Sequence, residues 1–293
     1  MIRYAISKKK LHDEITKTNA NWFTDTAAVL AGLPAKPASS DFKPLWSKIK
    51  QVYIDLQFAK CCFCEKPLEG KIEQDVEHFR PKAEVKPWKV PANLVAEGVT
   101  VQQPADGSSE SGYAELPYEP FNYAISCKTC NSTLKKNFFP IEGTRDSAGA
   151  DPTLMGTEQA LFIYPLGSFD TDPEQLIEFD ALSPVPKNKT GFGRRRAMVT
   201  IDVFRLDNPK LRSLFKQRAF LVRMLFLELD GKANATTPAK QAKHQIAIDT
   251  LTSPQAPFTN CLRSFDRLFT SDPVRAEQIA DECLKFMNSK STP

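Results

Sequence analysis

Cys61-Cys62-Phe63-Cys64 and Cys127-Lys128-Thr129-Cys130 are the stretches on which the reading of this chain turns. Each places two thiols three residues apart in a short turn, and two such turns can enclose one tetrahedral Zn²⁺ with four thiolates. Cys61 and Cys64 form the first Cys-x-x-Cys, with Cys62 as a spare thiol, and Cys127 and Cys130 form the second. Four thiolates leave no open coordination position, so the site is structural and its binding energy is folding energy. Glu77-His78 stands between the pairs, and Asn131 follows the last cysteine directly. Cys261 and Cys283 fall at helix-like positions and read as small buried hydrophobes.

Working outward, residues 11–32 read as one helix stopped by Gly32 and Pro34. Residues 43–58 read as another, with Leu45, Ile49, Val52, Tyr53 and Leu56 on one face. Residues 61–80 read as a hairpin that turns at Glu69-Gly70 and ends at Pro81, which cannot continue a ladder. Residues 83–120 are rich in Pro, Gly and Ser and are expected to be a surface insertion, with a flexible tip at Ala105–Ser109. A short helix is expected from Cys127 to Lys136. Residues 146–180 hold acids and no Lys or Arg, with short strands expected at 161–164 and 176–179. From 193 onward the chain reads as helical, with starts at Asn208-Pro209, Thr237-Pro238 and Asp272-Pro273 and a stop at Gly231. The expected organisation is α+β: a helical segment at 1–60, a core at 61–145, an acidic strand and loop segment at 146–192, and a helical region at 193–293.

The 293 residues suffice for a sizeable core. With 41% hydrophobic and 25% charged residues, the chain has the composition of a globular protein in water. No run of 18 apolar residues offers a membrane span, and the first ten residues do not form a signal peptide. A cytoplasmic location is expected, where seven cysteines fit metal binding better than a disulfide framework. A net charge of +4 permits nucleic-acid binding without arguing for it.

The combination Cys61-x-x-Cys64-Glu65, Glu77-His78-Phe79-Arg80-Pro81-Lys82, Asn122, Cys127-x-x-Cys130-Asn131, Lys135 and Phe139-Pro140 resembles an HNH endonuclease of the ββα-metal class. It is most similar to the PtuB-like HNH proteins found with the Septu antiphage system and with certain retrons, over roughly residues 45–218. The resemblance implies His78 as general base, Glu77 and the Asn131 side-chain carbonyl as ligands of a catalytic divalent ion such as Mg²⁺, and Asn122 as the residue that holds the loop and orients His78. Imidazole titrates near neutral pH and so suits the base, and hard oxygens suit Mg²⁺. Adjacent residues of a flat strand point to opposite faces. Glu77 and His78 therefore share a pocket only if the strand end twists; otherwise Asp75 or Glu65 replaces Glu77 as ligand. His12 and His244, set among polar residues, read as solvated surface histidines.

Arg80, Lys82, Lys128 and Lys135 cluster around this site as candidate phosphate contacts, and residues 187–223, with Arg194-Arg195-Arg196, read as a basic helical track for nucleic acid. The acids of 146–180 are candidates to mask that track. The chain has no Gly-x-x-x-x-Gly-Lys-Ser/Thr loop. The resemblance thus implies a separate ATPase subunit of ABC or AAA type, or a retron reverse transcriptase with its msDNA, besides DNA as substrate. An RNA substrate such as tRNA, and a zinc-binding module without catalysis, are the alternatives.

Overall fold

The computed structural model describes residues 1–208 and 212–289. Helix α1 (Lys8–Thr18) is capped by Ser7, whose hydroxyl accepts from Lys10 N. The helix expected over 11–32 breaks at Asn19–Asn21, and α2 (Trp22–Ala31) then turns Trp22 inward, its indole donating to Leu45 O at 2.9 Å. The helix expected over 43–58 starts as a 3₁₀ turn (Leu45–Ile49) and becomes α3 (Lys50–Leu56). Phe58 and Ala59 take positive φ, so the chain reverses into the first cysteine turn. Buried Gln57 secures that reversal: its amide donates to Lys60 O and Ile125 O and accepts from Ile125 N.

The strand pairing departs from the local hairpin expected over 61–80. Strand β1 (Asp75–His78) pairs antiparallel with a strand at Tyr123–Ser126, in register Glu77↔Ala124 and His78↔Tyr123. The residues before β1 instead make a 3₁₀ turn at Lys71–Glu73. Nor is 83–120 a surface insertion. It forms β2 (Glu84–Val85), α4 (Ala92–Ala96) and β3 (Glu110–Ser111), with β2 and β3 paired, and leads on to the Tyr123–Ser126 strand, β4. Val85, Trp88, Leu94, Val99, Tyr113, Leu116 and Tyr118 are buried in the core shared with the cysteine turns. The tip at 105–109 is exposed as expected, as are much of α4 and Gln102-Gln103. Gly112 allows the close approach of this segment, since a Cβ there would lie 2.6 Å from the backbone of Ala83.

After β4 the chain passes through Cys127 into a π-helical segment (Thr129–Lys135) rather than an α-helix. The stretch 161–164 is buried irregular chain, whereas α5 (Pro173–Leu176) leads into the hairpin of β5 (Ile177–Asp180) and β6 (Ser183–Pro186). Among the described residues five helices follow: α6 (Gly191–Val203), α7 (Arg212–Ala233), α8 (Pro238–Thr252), α9 (Thr259–Ser271) and α10 (Pro273–Asn288). Pro209, half of the expected start of α7, lies outside the described residues. Thr237 and Asp272 cap α8 and α10 as expected. Gly231 does not stop α7; it makes room for His244, whose ring a Cβ would meet at 2.5 Å. His244 is half-buried and bonds Glu228 at 2.8 Å, and His12 stacks on Phe23.

Helices α7–α10 enclose a second apolar cluster that includes Cys261 and Cys283. Lys60 joins it to the cysteine turn, donating to Pro254 O, Ala256 O and Thr259 Oγ1. The architecture is mixed helix and strand around a buried four-cysteine cluster. No helix among the described residues is long and apolar enough to cross a membrane.

Candidate metal centre and active-site cleft

The two turns meet as their spacing predicts. The Sγ atoms of Cys61, Cys64, Cys127 and Cys130 all lie within 4.8 Å of one another and all four residues are buried. Cys64 and Cys127 are 4.0 Å apart. Zn–S bonds of about 2.3 Å in a tetrahedron put sulfurs about 3.8 Å apart, so the donor set fits Zn²⁺. Sharing hydrogen bonds with Cys127 raises the thiols of Cys64 and Cys130 well above their usual range, so four thiolates here require a cation. Cys62 stays outside the cluster. Its backbone N–H bonds Ile125 O, and burial pushes its thiol well up.

The knot anchors both sides of a polar cleft of about 160 Å³, lined by Trp46, Glu77, His78, Lys82, Asn131 and Asn137 among others. β1 ends at His78, so the cleft lies at a strand end rather than over one face, and both Glu77 and His78 reach it. Asn122 holds the chain beyond. Its Oδ1 accepts from Arg80 N at 2.8 Å, its Nδ2 donates to Arg80 O and Leu116 O, and its carbonyl accepts from Phe79 N.

His78 Nε2 is 3.2 Å from the Pro117 carbonyl, which also accepts from the Tyr123 hydroxyl. A carbonyl only accepts, so Nε2 carries the proton and Nδ1 is the basic nitrogen. The ring packs edge-on to Trp46 and Tyr123, at centroid distances of 4.6 and 5.1 Å. Burial, and then the Lys82 ammonium, hold the imidazole well below its usual pKa, so it is neutral.

Glu77 is buried and its Oε1 is 2.5 Å from Lys135 Nζ, which also donates to His78 O at 3.0 Å. Burial raises the Glu77 carboxyl, against the pull of Lys135 and Lys82. Asn131 Nδ2 meets Asp75 Oδ2 at 3.3 Å, leaving its Oδ1 available as a hard ligand. The π-helical turn, wider than an α-turn, sets Asn131 and Lys135 on one face toward β1. Of the alternative carboxylates, Asp75 thus adjoins Asn131. Glu65 is buried elsewhere, against the Met1 amino group at 2.5 Å.

The predicted basic contacts divide. Lys82 lines the cleft, its ammonium 4.8 Å from the Trp46 ring centre. Lys128 is exposed, whereas Lys135 is the buried partner of Glu77 rather than a surface cation. Arg80 is buried and points away, into an ion pair with Glu158 at 2.8 Å. The arginine run is not an open track, because Arg194 pairs with Glu97, Arg195 with Glu142 and Arg196 with Asp170. Of these three carboxylates only Asp170 comes from the acidic stretch. Trp46 and Pro117 escaped the sequence reading. Trp46 does fall off the apolar face of its helix, the one signal it carries; a backbone carbonyl carries none.

Fold and site define a mixed helix and strand protein in which a buried four-cysteine cluster that could hold a metal backs a cleft holding one histidine. The chain is similar to the Septu protein PtuB of Bacillus mycoides (strain KBAB4), with 28% identity over 225 residues, 75% of this chain and 67% of that protein. That similarity supports a Septu-related family. No family model and no solved structure matches the chain.

Proposed function

We propose that the chain is a metal-dependent HNH-type endonuclease of the ββα-metal class that hydrolyses phosphodiester bonds in DNA. It serves as effector of a Septu-like antiphage system together with an ATPase subunit. The observation that carries this reading is His78: a neutral imidazole, its Nε2–H held by a carbonyl, in a polar cleft shared with a carboxylate, an amide and an ammonium. Its Nδ1 takes the proton from an attacking water. Pro117 and Tyr123 keep the ring in the productive tautomer, and Trp46 limits its rotation. Asn122 fixes the chain beyond His78.

A divalent ion such as Mg²⁺ would be held by Glu77 and the Asn131 carbonyl, and would supply charge stabilisation at the phosphate when bound. The donors fit a hard cation, with one condition: Lys135 neutralises Glu77 here, so the carboxylate is shared with the ammonium. Lys82, which has no carboxylate partner among the described residues, faces the same cleft as a phosphate contact.

The test is His78→Ala in the zinc-loaded protein, incubated with supercoiled DNA and Mg²⁺, alone and with a Septu-type ATPase subunit. Loss of cleavage with unchanged zinc content supports the reading, and cleavage that survives removes it. If the unaltered protein cuts neither DNA nor RNA under any of these conditions, a zinc-binding module without catalysis is the better reading, one that the prior claim of Lys135 on Glu77 already favours.

A further inference from the structure

Behind the catalytic strand end lies a second cavity, of about 240 Å³, which shares no lining residue with the cleft. Two almost fully buried arginines border it: Arg80, 4% exposed, and Arg196, 5% exposed. Each has one carboxylate, Glu158 for Arg80 through Nε and Asp170 for Arg196 through both Nη groups. Glu158 is further occupied by the Tyr113 hydroxyl and Asp146 N, and Asp170 by Tyr164 N and Thr171 N. Arg196 Nη2 also donates to Phe162 O, yet the donors of the two arginines are not exhausted. Both Nη groups of Arg80 bond no described residue, and Arg196 Nε is buried without a partner. Buried guanidinium N–H groups normally find acceptors, and a planar pair of them matches two oxygens of one oxyanion. Phe169 and Phe192 add apolar rings to the lining.

We propose that the cavity between Arg80 and Arg196 is a binding site for a small phosphate ligand, either inorganic phosphate or the phosphate of a mononucleotide. Because each arginine already carries a carboxylate, recognition works through unfilled N–H donors more than through net charge. The site adjoins the base, since Asn122 clamps the backbone of Arg80 two residues beyond His78. Its existence does not depend on the nuclease reading, and its test needs no cleavage.

The test is thermal unfolding of the zinc-loaded chain without Mg²⁺ at constant ionic strength, titrated with inorganic phosphate and separately with adenosine 5′-monophosphate. The expected result is a saturable rise of about 3 °C at a tenfold excess over Kd for at least one of the two, the tighter naming the source. Arg80→Lys should lose it. Because that change disturbs a buried ion pair, Gly156→Leu is the second variant. Gly156 lines the cavity and a Cβ there meets nothing within 4 Å, so a larger side chain can be introduced at the lining without changing either arginine or its carboxylate. Nonspecific stabilisation by phosphate would be equal in this variant and the unaltered chain. An equal rise in both, or no saturable rise with either probe, overturns the proposal.

Discussion

Lys135→Met separates the two things that the buried Glu77–Lys135 pair does. Both side chains are at most 2% exposed and 2.5 Å apart, and Lys135 also donates to His78 O. Methionine keeps the length of the side chain and removes its charge, leaving Glu77 buried without its cation. Breaking a buried pair by removing one partner costs about 3–5 kcal/mol, because the remaining charge is uncompensated. For a chain of this length that corresponds to roughly 5–8 °C in Tm. The loss has a sign in pH. The folded pKa of Glu77 is already raised by burial and rises further without Lys135. Between the unfolded and the folded pKa, the native state holds a proton that the unfolded state has released, so stability falls as pH rises. The deficit should be largest near pH 8 and shrink as pH falls to about 4, below the unfolded carboxyl value near 4.3, where Glu77 is protonated in both states. The assay is urea unfolding of the zinc-loaded protein at both pH values, with Glu77→Gln/Lys135→Met alongside. Removing both charges should recover most of the loss. A deficit under about 1 kcal/mol at pH 8, or a double variant no better than the single, would refute the argument.

Zinc analysis of the purified chain should give one ion per chain; Cys127→Ser should lose it and unfold, whereas Cys62→Ser should keep it, because Cys62 lies outside the four-sulfur cluster. The depressed pKa of His78 places the acid limb of any cleavage profile below the usual imidazole value near 6.5. It also makes stability fall as pH drops below that value, where the unfolded histidine binds a proton first; His78→Ala should flatten that part of a Tm–pH curve. Asn122→Ala removes three hydrogen bonds, to Arg80 N, Arg80 O and Leu116 O, and should cost about 2–3 kcal/mol in urea unfolding at about 1 kcal/mol each. An unchanged midpoint would mean that water replaces them.

Short-range chemistry was legible in the sequence. Cys-x-x-Cys is a local turn whose thiols must converge, so the four-thiol cluster could be named from spacing, and the adjacency of Asn131 to Cys130 carried its position with it. Cap signals at Thr237-Pro238 and Asp272-Pro273 worked for the same reason, since a cap acts within four residues. The strand register did not follow from local signals. Asp75–His78 alternates no differently whether its partner is the preceding turn or a strand some 45 residues on, and only the packing of 83–120 into the shared core brings Tyr123–Ser126 alongside. Prolines and glycines in that segment suggested a surface loop, but its Tyr, Trp and Leu side chains outweigh them by burial.

The sequence by itself therefore determined the convergence of the four cysteines, because it depends on residue type at short spacing. Tertiary structure alone decided which charges are free. Lys135, Arg80 and Arg196 look alike in a sequence as cations, yet each meets a carboxylate at least 26 residues away and is buried with it. A long-range ion pair leaves no trace in local pattern, so the division between the open Lys82 and its sequestered neighbours belongs to the fold.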